Sequence, residues 1–334
     1  MDLILLLFLP CIVWGMGFQK QGFRPDYLGL SGTKALRGIM AVFILFHHLS
    51  QKLTGLKLLF FFDHVAILCV AAFFFLSGYG LQRSYQEKPG YPARILRSRI
   101  PSVAIPYLIL MGIYWLYQPR TLGDTLLSLV NGFPIVDYSW YILAILLLYG
   151  LYYLSTRFFG PESRGMLLFH LVFVVAWVPF CRAVGYEFYW YYSIIAFPAG
   201  IFWAMKEKKL LPWLQKRYLL WLVVSLLTFG GGLIAAIKTT VGMEVVVPFF
   251  WAACCGFLVF LLLMLMKFSI GNRVLYFLGE LSFEIYGLQG LFIRLWRSEQ
   301  IWIQRDIVWC TAVIVSTIAA AWVLHRLCQR IFKK

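Results

Sequence analysis

Residues 244-EVVVPFFWAACCGFLVFLLLMLM-266 carry one charged side chain, Glu244. As a helix they would extend about 35 Å, enough to cross the roughly 30 Å hydrocarbon core of a bilayer. Ten further apolar runs read the same way: 2–18, 35–50, 58–82, 100–118, 138–156, 166–183, 190–205, 218–238, 280–296 and 307–330. The chain is expected to be all-α, a polytopic transmembrane helix bundle of about 10–11 spans in one integral-membrane domain, 1–334. The first run has Asp2 in place of a basic n-region and no small-residue cleavage site before Gln19, so it reads as a retained helix rather than a signal peptide.

Composition agrees. Hydrophobic residues make up 62% of the 334 positions and charged residues 13%, about half the soluble average of about 25%, and the mean hydropathy is +0.80. The 30 bases and 14 acids give a net charge of +16, but the bases sit in short clusters between apolar runs. That is the pattern of loops facing anionic lipid, and it excludes a nucleic-acid-reading face. Cys11, Cys69, Cys181, Cys254, Cys255, Cys310 and Cys328 fall mostly inside apolar runs with no C-x-x-C spacing, so they read as small buried hydrophobes.

Threading eleven spans puts alternate loops on opposite sides and sorts the bases 22 against 8. The richer side includes Lys20, Lys34, Arg83, Arg94, Arg97, Arg99, Lys206, Lys208 and Lys209; the poorer includes Lys52, Arg120, Arg294 and Arg297. By the positive-inside rule the first side is cytoplasmic, the N-terminus lies outside and the C-terminus inside, as in a multi-pass cell-membrane protein.

One span departs from the apolar pattern. In 36-LRGIMAVFILFHHLS-50, eleven helical steps bring Arg37 and His48 back to within roughly 20° of one face, about 16 Å apart along the axis, while His47 points some 80° away. Intramembrane ionisable residues are costly and mark functional paths, usually facing the bundle interior. Snorkelling by Arg37 and interfacial capping by His48 is the competing account.

Several segments together resemble a family. RGIMAVFILFHH resembles the first motif of the acyltransferase 3 family of multispanning membrane acyltransferases, and 73-FFFLSGYGL-81 is similar to its aromatic run ending in Ser-Gly-Tyr. The basic cluster 94-RILRSRIP-101, the tryptophan segment 139-SWYILAILLLYGL-151 and 278-LGELSFEIYGLQG-290 resemble three more, in the family's order over residues 33–300. Departures are Gln289 where the family commonly has histidine, an all-apolar 142-ILAILLL-148 where a carboxylate often follows, a proline one residue early after Arg99, and the additional run 2–18.

The resemblance implies acyl transfer from cytoplasmic acyl-coenzyme A to a hydroxyl, most simply O-acetylation of a cell-envelope or exported polysaccharide. Acyl-CoA and glycan are then the partners besides membrane lipid, with no nucleic acid, no metal and no prosthetic cofactor. His48 is the natural base, or a transient acyl carrier, with Arg37 on the donor path. Arg94, Arg97 and Arg99 suit donor phosphates, since guanidinium forks match phosphate geometry; equally, such bases fix topology. Asp63, opening the next span, is placed to orient His48 across the helix pair, and His64 beside it reads as an interface anchor or a supporting group. Ser77, Tyr79, Trp140, Ser282 and Tyr286 are candidate pocket lining, against close packing as the plain alternative. Glu284 needs a partner in the bundle. His170 and His325 are assigned no function. A transporter or flippase, or a non-catalytic sensor, would also need many helices and intramembrane charge, although no matched pair of broken helices is present.

Overall fold

Backbone polar groups within lipid must be satisfied inside their own segment, so apolar runs of this length fold as helices. The computed structural model describes residues 2–53, 62–239 and 242–332. In chain order its helices are α1 (Asp2–Val13), α2 (Leu30–Ser50), α3 (Phe62–Glu87), α4 (Tyr91–Arg94), α5 (Pro101–Tyr117), α6 (Leu122–Val130), α7 (Trp140–Ser155) and α8 (Arg164–Ala183). They continue with α9 (Tyr189–Tyr192), α10 (Ala196–Lys216), α11 (Tyr218–Lys238), α12 (Met243–Lys267), α13 (Arg273–Glu280), α14 (Ser282–Leu295) and α15 (Asp306–Phe332). Seven of the described helical segments are long and apolar enough to cross a membrane, and α7 is a shorter apolar helix. The protein is an all-α, multi-pass membrane bundle.

Each apolar run holds a helix, but the boundaries move for physical reasons. The first run gives a 12-residue helix, about 18 Å long. It stops before Gly15, whose φ is +76°, and Gly17–Phe18 then pairs antiparallel with Phe268–Ser269. Run 190–205 breaks after Tyr192, and α10 restarts at Ala196 and continues through 206-KEKK-209 to Lys216, because charge ends a membrane span without ending a helix. Likewise the segments 83–99 and 119–137, which lie between apolar runs, contain the end of α3, α4, a π-helical turn at Ile95–Arg99, and α6.

Two close approaches set the middle of the bundle. A Cβ on Gly78 of α3 would overlap the Phe197 carbonyl of α10, and one on Gly200 of α10 would overlap the Phe75 carbonyl of α3. The Ser77-Gly78 pair therefore acts as the sequence suggests, by removing side chains so that backbones meet. In contrast, α8 and α11 expose Val172, Val175, Leu219 and Leu227, an outward apolar surface suited to lipid.

Arg37 and His48 lie toward opposite ends of α2, and the two ends of the bundle are named for them below. At the arginine end, Glu207 of α10 is only 8% exposed and accepts hydrogen bonds from Tyr27 and from Tyr79 (3.1 Å), while Arg83 lies 3.7 Å away. Trp203 donates to Tyr27 at 2.9 Å, which completes the cluster. Tyr79 is thus occupied by this joint between α3, α10 and the segment before α2.

Candidate active site

Two polar regions flank α2. The first, at the histidine end, is a cavity of about 510 Å³ between α2, α3, α14 and the segment joining α6 to α7. Its walls include His47, His48, Asp137, Tyr138, Trp140, Tyr189, Tyr286, Arg120 and Arg294. His48 is 6% exposed, and neither ring nitrogen has a hydrogen-bond partner among the described residues. An imidazole kept from water with both nitrogens free, in the wall of a cavity, has no structural work to do with those nitrogens. His47 instead meets Gln51, Nε2 to Nε2 at 3.1 Å.

The wall opposite α2 is built by 136-VDYSW-140. Tyr138 has φ +63°, the left-handed conformation that a bulky residue rarely adopts. Its carbonyl accepts the Tyr286 hydroxyl, and its ring lies on His48 with centroids 3.7 Å apart and planes at 31°. Asp137 pairs with Arg294 of α14, which also donates to Gln118 at 3.3 Å. Burial pushes the Asp137 carboxyl above its ordinary value, opposed by the Arg294 charge, and Asp137 Oδ2 has no hydrogen-bond partner among the described residues. Ser139 Oγ lies 3.2 Å from the Tyr107 hydroxyl of α5, and Trp140 rests against Tyr189 at 5.3 Å.

The second region, toward the arginine end, holds Arg37, Arg99 and a group of phenols. Arg37 interacts electrostatically with Tyr141, Tyr149 and Arg99, and its Nε is buried without a hydrogen-bond partner among the described residues. Arg99 Nε donates to the Tyr91 hydroxyl at 3.2 Å. Tyr149 donates to Ser77 Oγ at 3.4 Å, and the Tyr141 hydroxyl interacts with the same serine. Arg37 and Arg99 each lie near the Tyr149 hydroxyl, and neither has an ion pair among the described residues. Such a place favours an anion.

A family model for an acyltransferase domain matches residues 31–326 of the 334. The chain belongs to the acyltransferase 3 family. No curated protein and no solved structure matches it. Membership makes this membrane protein an acyltransferase.

Within the acyltransferase, the residues singled out from sequence fall into three groups. His48, Trp140 and Tyr286 line the cavity. Arg37, Ser77 and the exposed Arg99 form the second region, and Arg94 and Arg97 are likewise exposed on the helical turn beside it. Tyr79 and Ser282 lie elsewhere, the latter donating to Gly279 at 3.1 Å in the turn before α14. The side chains of Asp63 and His64 lie outside the described residues.

Histidines assigned no function have partners within the bundle. His325 Nδ1 lies 2.7 Å from Glu284 Oε1, so the 4%-exposed carboxylate of α14 finds its partner on α15. His170 Nδ1 meets the Met166 carbonyl at 2.8 Å. The site residues that sequence reasoning missed are Asp137, Tyr138, Arg120 and Arg294. A carboxylate and a phenol immediately before the tryptophan motif were the available signal.

Proposed function

We propose that the protein transfers an acyl group, most simply acetyl, from cytoplasmic acyl-coenzyme A to a hydroxyl of a cell-envelope or exported polysaccharide. One observation carries the reading. His48 is buried with both nitrogens free in the cavity wall, and Arg37 stands on the same helical face at the other end of α2. The separation of about 16 Å is a length that the extended pantetheine arm of coenzyme A suits.

In this reading Arg37 and Arg99 hold donor phosphate charge at the cytoplasmic face, with Arg94 and Arg97 at its entrance. The thioester reaches His48 through the bundle. The acceptor enters the opposite cavity, where Trp140, Tyr189 and Tyr138 offer flat apolar faces and Asp137, Arg120 and Arg294 offer polar edges, the combination that a sugar ring presents in return. His48 takes the hydroxyl proton as the oxygen attacks the thioester carbonyl; the C–S bond breaks, coenzyme A leaves as thiolate and accepts a proton, and an ester remains on the glycan. Donor and acceptor come from opposite sides, so a cytosolic thioester modifies an extracytoplasmic glycan with the N-terminus outside and the C-terminus inside.

The test is label transfer from acetyl-coenzyme A to envelope glycan in membranes carrying wild type, His48→Ala, His47→Ala and Arg37→Ala at matched protein levels. His48→Ala should lose at least about 100-fold, a typical general-base contribution. Arg37→Ala should chiefly raise the donor KM, and His47→Ala should retain transfer. Full activity in His48→Ala defeats the reading.

A further inference from the structure

An imidazole base is ordinarily oriented by a hydrogen bond from its second nitrogen to a carboxylate or carbonyl. His48 has no such bond among the described residues. What holds its plane is a ring, and the ring comes from the residue with the least favourable backbone in the neighbourhood.

We infer that Tyr138 is the positioning residue for His48, its strained backbone pressing the phenol ring onto the imidazole face so that the ring plane is fixed in the cavity wall while neither nitrogen is engaged. The inference rests on the reading of His48 as the reactive group. Three observations converge. Tyr138 is the one described non-glycine residue with positive φ, and such strain persists where the surroundings over-determine it and clusters at functional sites. The surroundings do so here: Tyr286 of α14 donates to the Tyr138 carbonyl, and on the preceding residue Asp137 is tied to Arg294 of the same helix. The ring contact, with centroids 3.7 Å apart, is shorter than the 4.5 to 7 Å usual for aromatic pairs. Stacking restrains ring tilt without engaging either nitrogen in a hydrogen bond, whereas a hydrogen-bonded orienter would occupy one. One nitrogen can then face the acceptor hydroxyl with no competing protein partner.

Tyr286 thereby gains a definite task. It holds the Tyr138 carbonyl from one helix while His48 is held from another, so α14 and α2 are registered through a single tyrosine.

The experiment measures kcat and the KM for acetyl-coenzyme A with labelled donor and membrane glycan, for wild type, His48→Ala, Tyr138→Phe, Tyr138→Leu, Tyr138→Ala and Tyr138→Gly, together with thermal midpoints of the detergent-purified full chain. Misplacing a reacting group by about 1 Å costs on the order of 100-fold, so Leu, Ala and Gly should lower kcat by roughly 10- to 100-fold with the donor KM within about twofold. Phe, which keeps the ring, should recover most of kcat. Gly should melt higher than Ala, because both lack the ring and only Gly relaxes the left-handed backbone. If His48→Ala is inactive while Leu keeps wild-type kcat, or if the loss appears in KM alone, the positioning role is overturned and the proposed function survives. If His48→Ala transfers normally, both fall. A Gly variant that melts at or below Ala removes the strain from the account.

Discussion

Gly290 lies directly against Asp137: a Cβ on Gly290 would overlap the Asp137 Cβ and come within 2.9 Å of the Tyr114 hydroxyl. The absence of one methyl group lets α14 approach the cavity wall closely enough for Arg294, one turn further on, to reach the Asp137 carboxylate. Gly290→Ala should therefore cost about 1–3 kcal/mol of stability by overpacking and lower transfer more than that loss explains. Thermal melting and label transfer on the same preparation check it; unchanged transfer would mean that the wall tolerates displacement.

At Asp137 itself the pH dependence has a definite sign. Burial raises its folded-state pKa above the ordinary carboxylate value despite Arg294, so the ionised form is disfavoured in the fold. That penalty is present at neutral pH and is relieved as acid protonates the group. Asp137→Asn should then raise the thermal midpoint at about pH 7, with a gain that shrinks toward about pH 4, near the ordinary value. A gain that grows on acidification would contradict the assignment.

Glu207 offers a contrast, because its carboxylate has partners on three sides. Glu207→Ala leaves the Tyr27 and Tyr79 hydroxyls without their acceptor in a buried place and should cost about 1–3 kcal/mol for each. Glu207→Gln keeps an acceptor oxygen and should cost less. Midpoints in that order support a structural joint; loss of transfer at full stability would instead move Tyr79 into the site.

Where α3 meets α10, Gly78→Ala and Gly200→Ala should each destabilise by about 1–3 kcal/mol, since the atoms met are main-chain carbonyls that cannot turn aside. As each methyl forces the same two backbones apart, the double variant should cost less than the sum. Strict additivity would show that the two contacts relax independently.

The helices were legible because lipid imposes a length and a polarity that sequence displays directly. The relation of Arg37 to His48 was legible for a similar reason: eleven residues on one helix fix an angle without knowledge of any other segment. Tyr138 and Arg294 were not, because their meaning depends on partners far apart in sequence and on a backbone conformation that no tyrosine advertises. Glu207 was hidden differently. In 206-KEKK-209 it reads as one more member of a solvated run, and only the continuation of α10 turns it inward. The π-helical turn at Ile95–Arg99 likewise adds a residue to a helix whose composition gives no sign of it, and sets which arginine faces Tyr91.

The short pairing of Gly17–Phe18 with Phe268–Ser269 joins residues about 250 positions apart, and Asn272 adds hydrogen bonds to the Cys11 and Trp14 carbonyls at 2.7 and 2.8 Å. During synthesis those anchors do not exist until the roughly 250 residues between the two paired segments have been made. The first helix must wait beside the growing bundle, and closure around α2 becomes a late step in biogenesis, one that a chain halted before residue 268 can never take.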